Sequence, residues 1–241
     1  VQQQIYLLFF GITITIFASM GKKRDKTSRY SALHHMENVF DYKYSASLPQ
    51  KGNWFSLFGN NNPIVLELAC GKGDYTLKLA KKYPEKNFIA MDIKGARIYI
   101  GAKEAQQRGL KNVFFLRAYI DHLEEYFHHG EIHEIWIPFP DPHPTEKGQK
   151  KRLTSLKFLN QYKRVLRPKG IVNLKTDSEL LFDYTLEMLD QEHITPKQIL
   201  FNMDLNSALD SEQEELLAIQ TYYEKQHRLQ KKKIHFLSFS F

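Results

Sequence analysis

Apolar residues in this chain fall in short continuous runs that alternate with stretches of helical period. IVLELA (64–69) is an apolar run with one acid, followed by glycines. DYTLKLAKKYP (74–84) places Tyr75, Leu77, Leu79, Ala80 and Tyr83 at helical spacings, and Pro84 ends the pattern. NFIAMDI (87–93) reads as a second strand and ARIYIGAKEAQQRG (96–109) as a second helix closed by Gly109. NVFFLRA (112–118) is a third strand, DHLEEYF (121–127) a short helix and EIHEIWI (131–137) a fourth strand. LTSLKFLNQYKRVL (153–166) predicts a helix, RPKG (167–170) a turn, IVNLKTD (171–177) a fifth strand and SELLFDYTLEMLDQE (178–192) a helix. Strands alternating with helices predict an α/β fold with a mostly parallel sheet and right-handed crossovers. IHFLSFSF (234–241) instead alternates near period two, as an antiparallel strand covered on one face does.

The 241 residues suffice for one large domain and contain no internal repeat. Residues 63–241 read as that domain, and residues 20–62 as a mixed N-terminal segment. Residues 1–19 are apolar from Ile5 to Ala18, short for a membrane span and without a preceding positive region. Met20-Gly21-Lys22-Lys23-Arg24 reads as a natural start, so residues 1–19 are expected to lie outside the native protein. A degenerate signal or a membrane anchor is the alternative. The formal charge of +7 permits an anionic partner without requiring one. Cys70 is the one cysteine, which excludes a disulfide framework and a multi-thiolate zinc site and suits a reducing cytoplasm. His128, His129 and His133 lack a ligand spacing, so no metal is expected.

VLELACGKGDY joins the first strand to the first helix. Gly71 and Gly73 fit the start of a dinucleotide fingerprint, but Thr76 stands at its third glycine, and no Gly-Lys-Ser/Thr closes a phosphate loop. Glu67 just before the loop would repel a pyrophosphate and attract a cationic group. Asp92, about twenty residues beyond the glycines, is placed to hold ribose hydroxyls. Together these predict a nucleoside with a positive tail, S-adenosylmethionine. IPFPDPHP (137–144) then breaks the fourth strand with prolines and holds Asp141 on a stiff segment. A turn cap is the plain reading of Asp141, presentation to a ligand the functional one.

With those residues in view, the chain resembles the bacterial tRNA (guanine-N7-)-methyltransferases, S-adenosylmethionine-dependent enzymes of the Rossmann-like class I fold. LELACGKGDYTLKLAKKYPEKNFIAMDIKGARI, NVFFLRA, IWIPFPDPHP, KKRLTSLKFLNQYKRVLRPKG, LKTDSE and TYYE carry the resemblance, over roughly residues 64–224. It implies methyl transfer to N7 of a guanine in the tRNA variable loop, in the cytoplasm. It also implies a cofactor site of Glu67, Gly71, Gly73, Asp92, Tyr119 and Asp141, with Asp141 catalytic. Tyr119 stands where the family usually carries Asp or Asn. Thr145, Asp177, Thr221 and Glu224 fall at the tRNA-binding positions. Two departures follow Asp141: His143 replaces an aromatic Trp, and Thr145 replaces a lysine whose part Lys147, Lys150, Lys151 or Arg152 is expected to take. Three basic clusters, Lys22 to Arg24, Lys147 to Arg152 and His227 to Lys233, are candidates for phosphate contact. A non-catalytic RNA-binding module of the same fold, or a methyltransferase acting on a protein or small molecule, remains the alternative.

Overall fold

The computed structural model describes residues 27–43, 51–203 and 217–241. The apolar stretch 1–19, and with it the cluster Lys22 to Arg24, lies outside them. Among the described residues, eight strands form one sheet: β1 (Val39–Asp41), β2 (Ile64–Leu68), β3 (Asn87–Asp92), β4 (Val113–Arg117), β5 (Ile132–Pro138), β6 (Leu166–Thr176), β7 (Gln198–Leu200) and β8 (His235–Phe239). Their order across the sheet is β1-β4-β3-β2-β5-β6-β8-β7. Strands β1 to β6 pair in parallel, and β8 runs antiparallel to both β6 and β7. The predicted parallel sheet and antiparallel C-terminal strand are thus both present.

Every residue of β2 and of β3 is buried, which explains why both are mostly apolar. Helices cover both faces. α2 (Asp74–Lys82) and α3 (Gly95–Gln107) pack on one face around Tyr75, Ile98, Phe115 and Trp136. α5 (Leu156–Val165) and α6 (Glu179–Gln191) pack on the other around Phe158, Tyr162, Leu181 and Ile135. α1 (Trp54–Phe58) and α4 (Leu123–Tyr126) join that second core. Trp54 is fully buried, and its indole N–H donates to the Tyr126 carbonyl at 3.0 Å.

Three local differences from the sequence reading have physical causes. The segment before residue 63 contributes β1 and α1 to the same sheet and core, because Val39–Asp41 pair with Phe115–Arg117. The helix predicted over 153–166 begins at Leu156, and a 3-10 helix over Glu146–Lys151 precedes it. RPKG is an outward bulge within β6 rather than a turn before it: Ile132 lies opposite Leu166, and Glu134 opposite Ile171. Lys169 takes the left-handed φ of 65° that this bulge requires. No helix among the described residues is long and apolar enough to cross a membrane.

Candidate active site

The carboxyl ends of the central parallel strands and the N-terminus of α7 (Tyr222–Leu229) border one cleft of about 910 Å3. Glu67, Gly71, Asp92, Tyr119, Asp141, Asp177 and Thr221 line it. Gly73, Thr145 and Glu224, also singled out in the sequence, do not.

At the floor, the turn after β2 runs through left-handed φ at Ala69 (55°), Gly71 (60°) and Gly73 (72°). A Cβ at Gly73 would lie 2.8 Å from the Phe115 ring, so only glycine fits there. A second glycine packs against the loop from outside: a Cβ on Gly101 of α3 would lie 1.9 Å from the Lys72 carbonyl oxygen. Gly101 thus supplies the close helix-to-loop approach that the missing third glycine of the fingerprint would give. Its signal in the sequence is a glycine inside a helical pattern, which costs about 1 kcal/mol against alanine and so implies a packing reason.

Glu67 is buried, and its Oε2 accepts the Thr76 backbone N–H at 2.8 Å as well as the Thr76 hydroxyl. It caps the first turn of α2, where Gly73 has no side chain to do so. Burial pushes its carboxyl up to about 8, against the lowering effect of the two Thr76 hydrogen bonds. Asp92 accepts the Gly71 N–H at 2.8 Å on Oδ2 and the Lys94 N–H at 2.8 Å on Oδ1. A carboxylate has about four acceptor positions, so each oxygen keeps one for a ligand hydroxyl. Tyr119 is exposed and packs edge-on against Tyr42, with ring centroids 5.1 Å apart.

The proline segment leaves the sheet at Pro138. Phe139 takes a φ of 53°, and its N–H donates to the Lys175 carbonyl at 2.7 Å. The Asp141 side chain is 71% exposed, and its Oδ1 accepts the His143 N–H at 3.1 Å. Asp141 therefore shapes its own turn, and its carboxylate borders the cleft. Arg152 holds this turn from behind. Its Nε donates to the Pro142 carbonyl at 3.0 Å and its Nη2 to the His143 carbonyl at 3.1 Å, with the guanidinium 4.3 Å from the Tyr184 ring centroid. Arg152 is only 3% exposed. Its burial and its Nε and Nη2 bonds to the Pro142 and His143 carbonyls count against a phosphate contact or a replacement for the lysine missing at Thr145. Of the four residues considered for that part, Lys151 lines the cleft.

Asp177 follows β6, and Lys232 Nζ lies 2.7 Å and His227 Nδ1 3.3 Å from its Oδ2. His227 also stacks on Phe139, with centroids 5.8 Å apart. Thr221 accepts the Glu224 N–H at 3.0 Å and caps α7, which explains the T-x-x-E spacing locally. Glu224 is fully buried, 2.8 Å from Lys175 Nζ and 2.9 Å from Arg228 Nη2. Lys72, Lys94, Arg97, Lys151 and Lys232 add positive charge to the cleft wall. Among the described residues, no group of three or more His, Cys, Asp or Glu could hold a metal ion.

A family model described as "Putative methyltransferase" matches residues 61–237. The tRNA (guanine-N(7)-)-methyltransferase of Bacteroides thetaiotaomicron is 43% identical over 212 residues, 86% of this chain and 81% of the relative. That of Christiangramia forsetii is 43% identical over 225 residues, 91% of this chain and 99% of the relative. The chain belongs to the tRNA (guanine-N7-)-methyltransferase family. Solved structures of lower identity share the fold of this family member. The 16S rRNA methyltransferase KamB matches with a TM-score of 0.59 at 16% identity, covering 79% of this chain and 94% of that one. A 30S ribosomal A1408 methyltransferase from an uncultured bacterium matches with a TM-score of 0.56 at 14% identity, covering 80% and 94%.

Proposed function

We propose that this protein transfers a methyl group from S-adenosylmethionine to N7 of a guanine in the variable loop of tRNA, in the cytoplasm. One observation carries the reading. In a member of this family, two buried acids (Glu67, Asp92) and one exposed acid (Asp141) converge on a single cleft whose wall also carries Lys72, Lys94, Arg97, Lys151 and Lys232. The donor set suits the cofactor. Glu67 offers a carboxylate to a cationic amino group, Asp92 keeps acceptor positions for a ribose diol, and the turn at Gly71 lets the backbone approach without a side chain. Tyr119 offers an aromatic edge where a nucleobase would end. S-adenosylmethionine, when bound, supplies an activated methyl group.

The acceptor explains why no general base is required. Guanine N7 carries a lone pair and no proton, so placement in line with the donor accounts for most of the catalysis. Asp141 is held by its own turn, by the flanking prolines and by Arg152, so its carboxylate is oriented before the base arrives. It can stabilise the positive charge that grows on the guanine ring and accept from the ring's N–H edge, which adenine lacks. Asp177 is the second acceptor for that edge, and Thr221 and Lys151 contact the tRNA beside it. Neither a protein nor a small molecule is favoured as acceptor.

Asp141→Ala tests the assignment. Its side chain is exposed, so Tm stays at the wild-type value while kcat/KM for tRNA falls roughly 100-fold. A wild-type rate together with wild-type tRNA affinity overturns it.

A further inference from the structure

We propose that Lys175 is a positioning residue of the tRNA site, whose ammonium fastens the segment 217–224 to the sheet and so sets Thr221 and α7 against the cleft. The proposal rests on the reading of that cleft as a tRNA methylation site. Lys175 lies near the end of β6, two residues before Asp177, and is fully buried. Its Nζ donates to the Leu217 carbonyl at 2.7 Å and the Ile219 carbonyl at 3.1 Å, and lies 2.8 Å from Glu224 Oε2. All three partners belong to the segment that ends in Thr221 and opens α7. Lys78 of α2 adds a bond to the Gln220 carbonyl. Two lysines, one on β6 and one on α2, thus hold the carbonyls of Leu217, Ile219 and Gln220 just ahead of Thr221. The main chain of Lys175 serves the opposite wall, since its carbonyl accepts the Phe139 N–H of the proline segment. One residue therefore joins the segment bearing Asp141, the strand end bearing Asp177 and the segment bearing Thr221.

A purely stabilising role explains this poorly. A buried ion pair contributes little net stability, because desolvation offsets much of the attraction, and its best-attested use is to fix one arrangement over others. An apolar side chain here would pack against Tyr75, whose ring centroid lies 5.8 Å from Nζ. It could not bond two carbonyls. The ammonium faces Glu224 and Arg228 from α7, and Lys78 and Tyr75 from α2. Glu224 is thereby assigned to the same fastening rather than to direct contact with tRNA.

The test compares wild type with Lys175→Met. Glu224 keeps its Arg228 partner in the variant, and Lys175→Met/Glu224→Gln removes the leftover charge should the single variant fold poorly. Amide hydrogen exchange over residues 217–221, tRNA affinity by filter binding, KM and kcat for tRNA, and S-adenosylmethionine affinity are measured on each folded protein. The expected result is faster exchange at 217–221 and a rise of about tenfold in the Kd and KM for tRNA, equivalent to about 1.4 kcal/mol. The kcat at saturating tRNA and the affinity for S-adenosylmethionine stay near wild type. Wild-type exchange and tRNA affinity in the variant overturn the proposal, as does a fall of kcat, tRNA affinity and cofactor affinity together. A wild-type protein that binds no tRNA overturns both this proposal and the reading beneath it.

Discussion

Glu67 serves the fold through Thr76 and, in the proposed function, the ligand as well. Its carboxyl caps α2 through Thr76, yet burial pushes it up to about 8 from an ordinary value of 4.5. Because the folded value lies above the unfolded one, the group's contribution to stability is complete below about 4.5 and is lost as pH rises through about 8. A cationic amino group brought beside it favours the carboxylate, so binding must draw off a proton. The affinity for S-adenosylmethionine is therefore expected to rise several-fold per pH unit between about 6 and about 7.5, where the ligand amine stays protonated. Calorimetry in two buffers of different ionisation enthalpy reads the released proton. Glu67→Gln should flatten the dependence, and a flat profile in the wild type rules this coupling out. The acid before the glycines was legible as a cleft residue from its position alone. Its capping role was not, since that depends on Thr76 turning back towards it. Arg152 misled for a related reason. In sequence it continues a basic run, and only the placement of the Pro142 and His143 carbonyls and Tyr184 shows that it points inward.

At the level of elements, the central strands and helices were legible because strands buried on both faces must be apolar throughout. β1 and β7, with three residues each, carry too little pattern to read. The RPKG bulge reads as a turn because Pro and Gly punctuate turns and bulges alike. Lys175 was invisible as a site residue. A lysine in IVNLKTD reads as a solvent-facing position, and its partners lie 42 to 49 residues further along the chain. α3 offers a direct check on the close approach to the glycine loop. Gly101→Ala places a methyl carbon against the Lys72 carbonyl, so it should cost about 2–3 kcal/mol despite alanine's better helix propensity. Thermal unfolding would show this as a fall in Tm of roughly 5–10 °C, accompanied by weaker binding of S-adenosylmethionine. A Gly101→Ala protein as stable as wild type would mean that the helix does not press on the loop.

For the molecule as a whole, five lysines and arginines line the cleft where the sheet ends, interleaved with six carboxylates rather than set on a separate face. Phosphate contacts release counterions, so tRNA affinity should fall steeply with salt, with a log–log slope of about −3 for some four contacts. Lys151→Ala should reduce that slope by about one without altering which base is modified. A slope unchanged in Lys151→Ala would remove Lys151 from the tRNA path. In the proposed function the same placement separates affinity from chemistry: the rim cations are assigned to the backbone, and Asp141 and Asp177 to the base. The most direct measurement incubates the purified protein with labelled S-adenosylmethionine and unmodified tRNA, then digests the tRNA and identifies the labelled nucleoside. The expected product is 7-methylguanosine from the variable loop, formed roughly 100-fold more slowly by Asp141→Ala. Label on any other base or position of the tRNA, or none in the wild type, contradicts the proposed function.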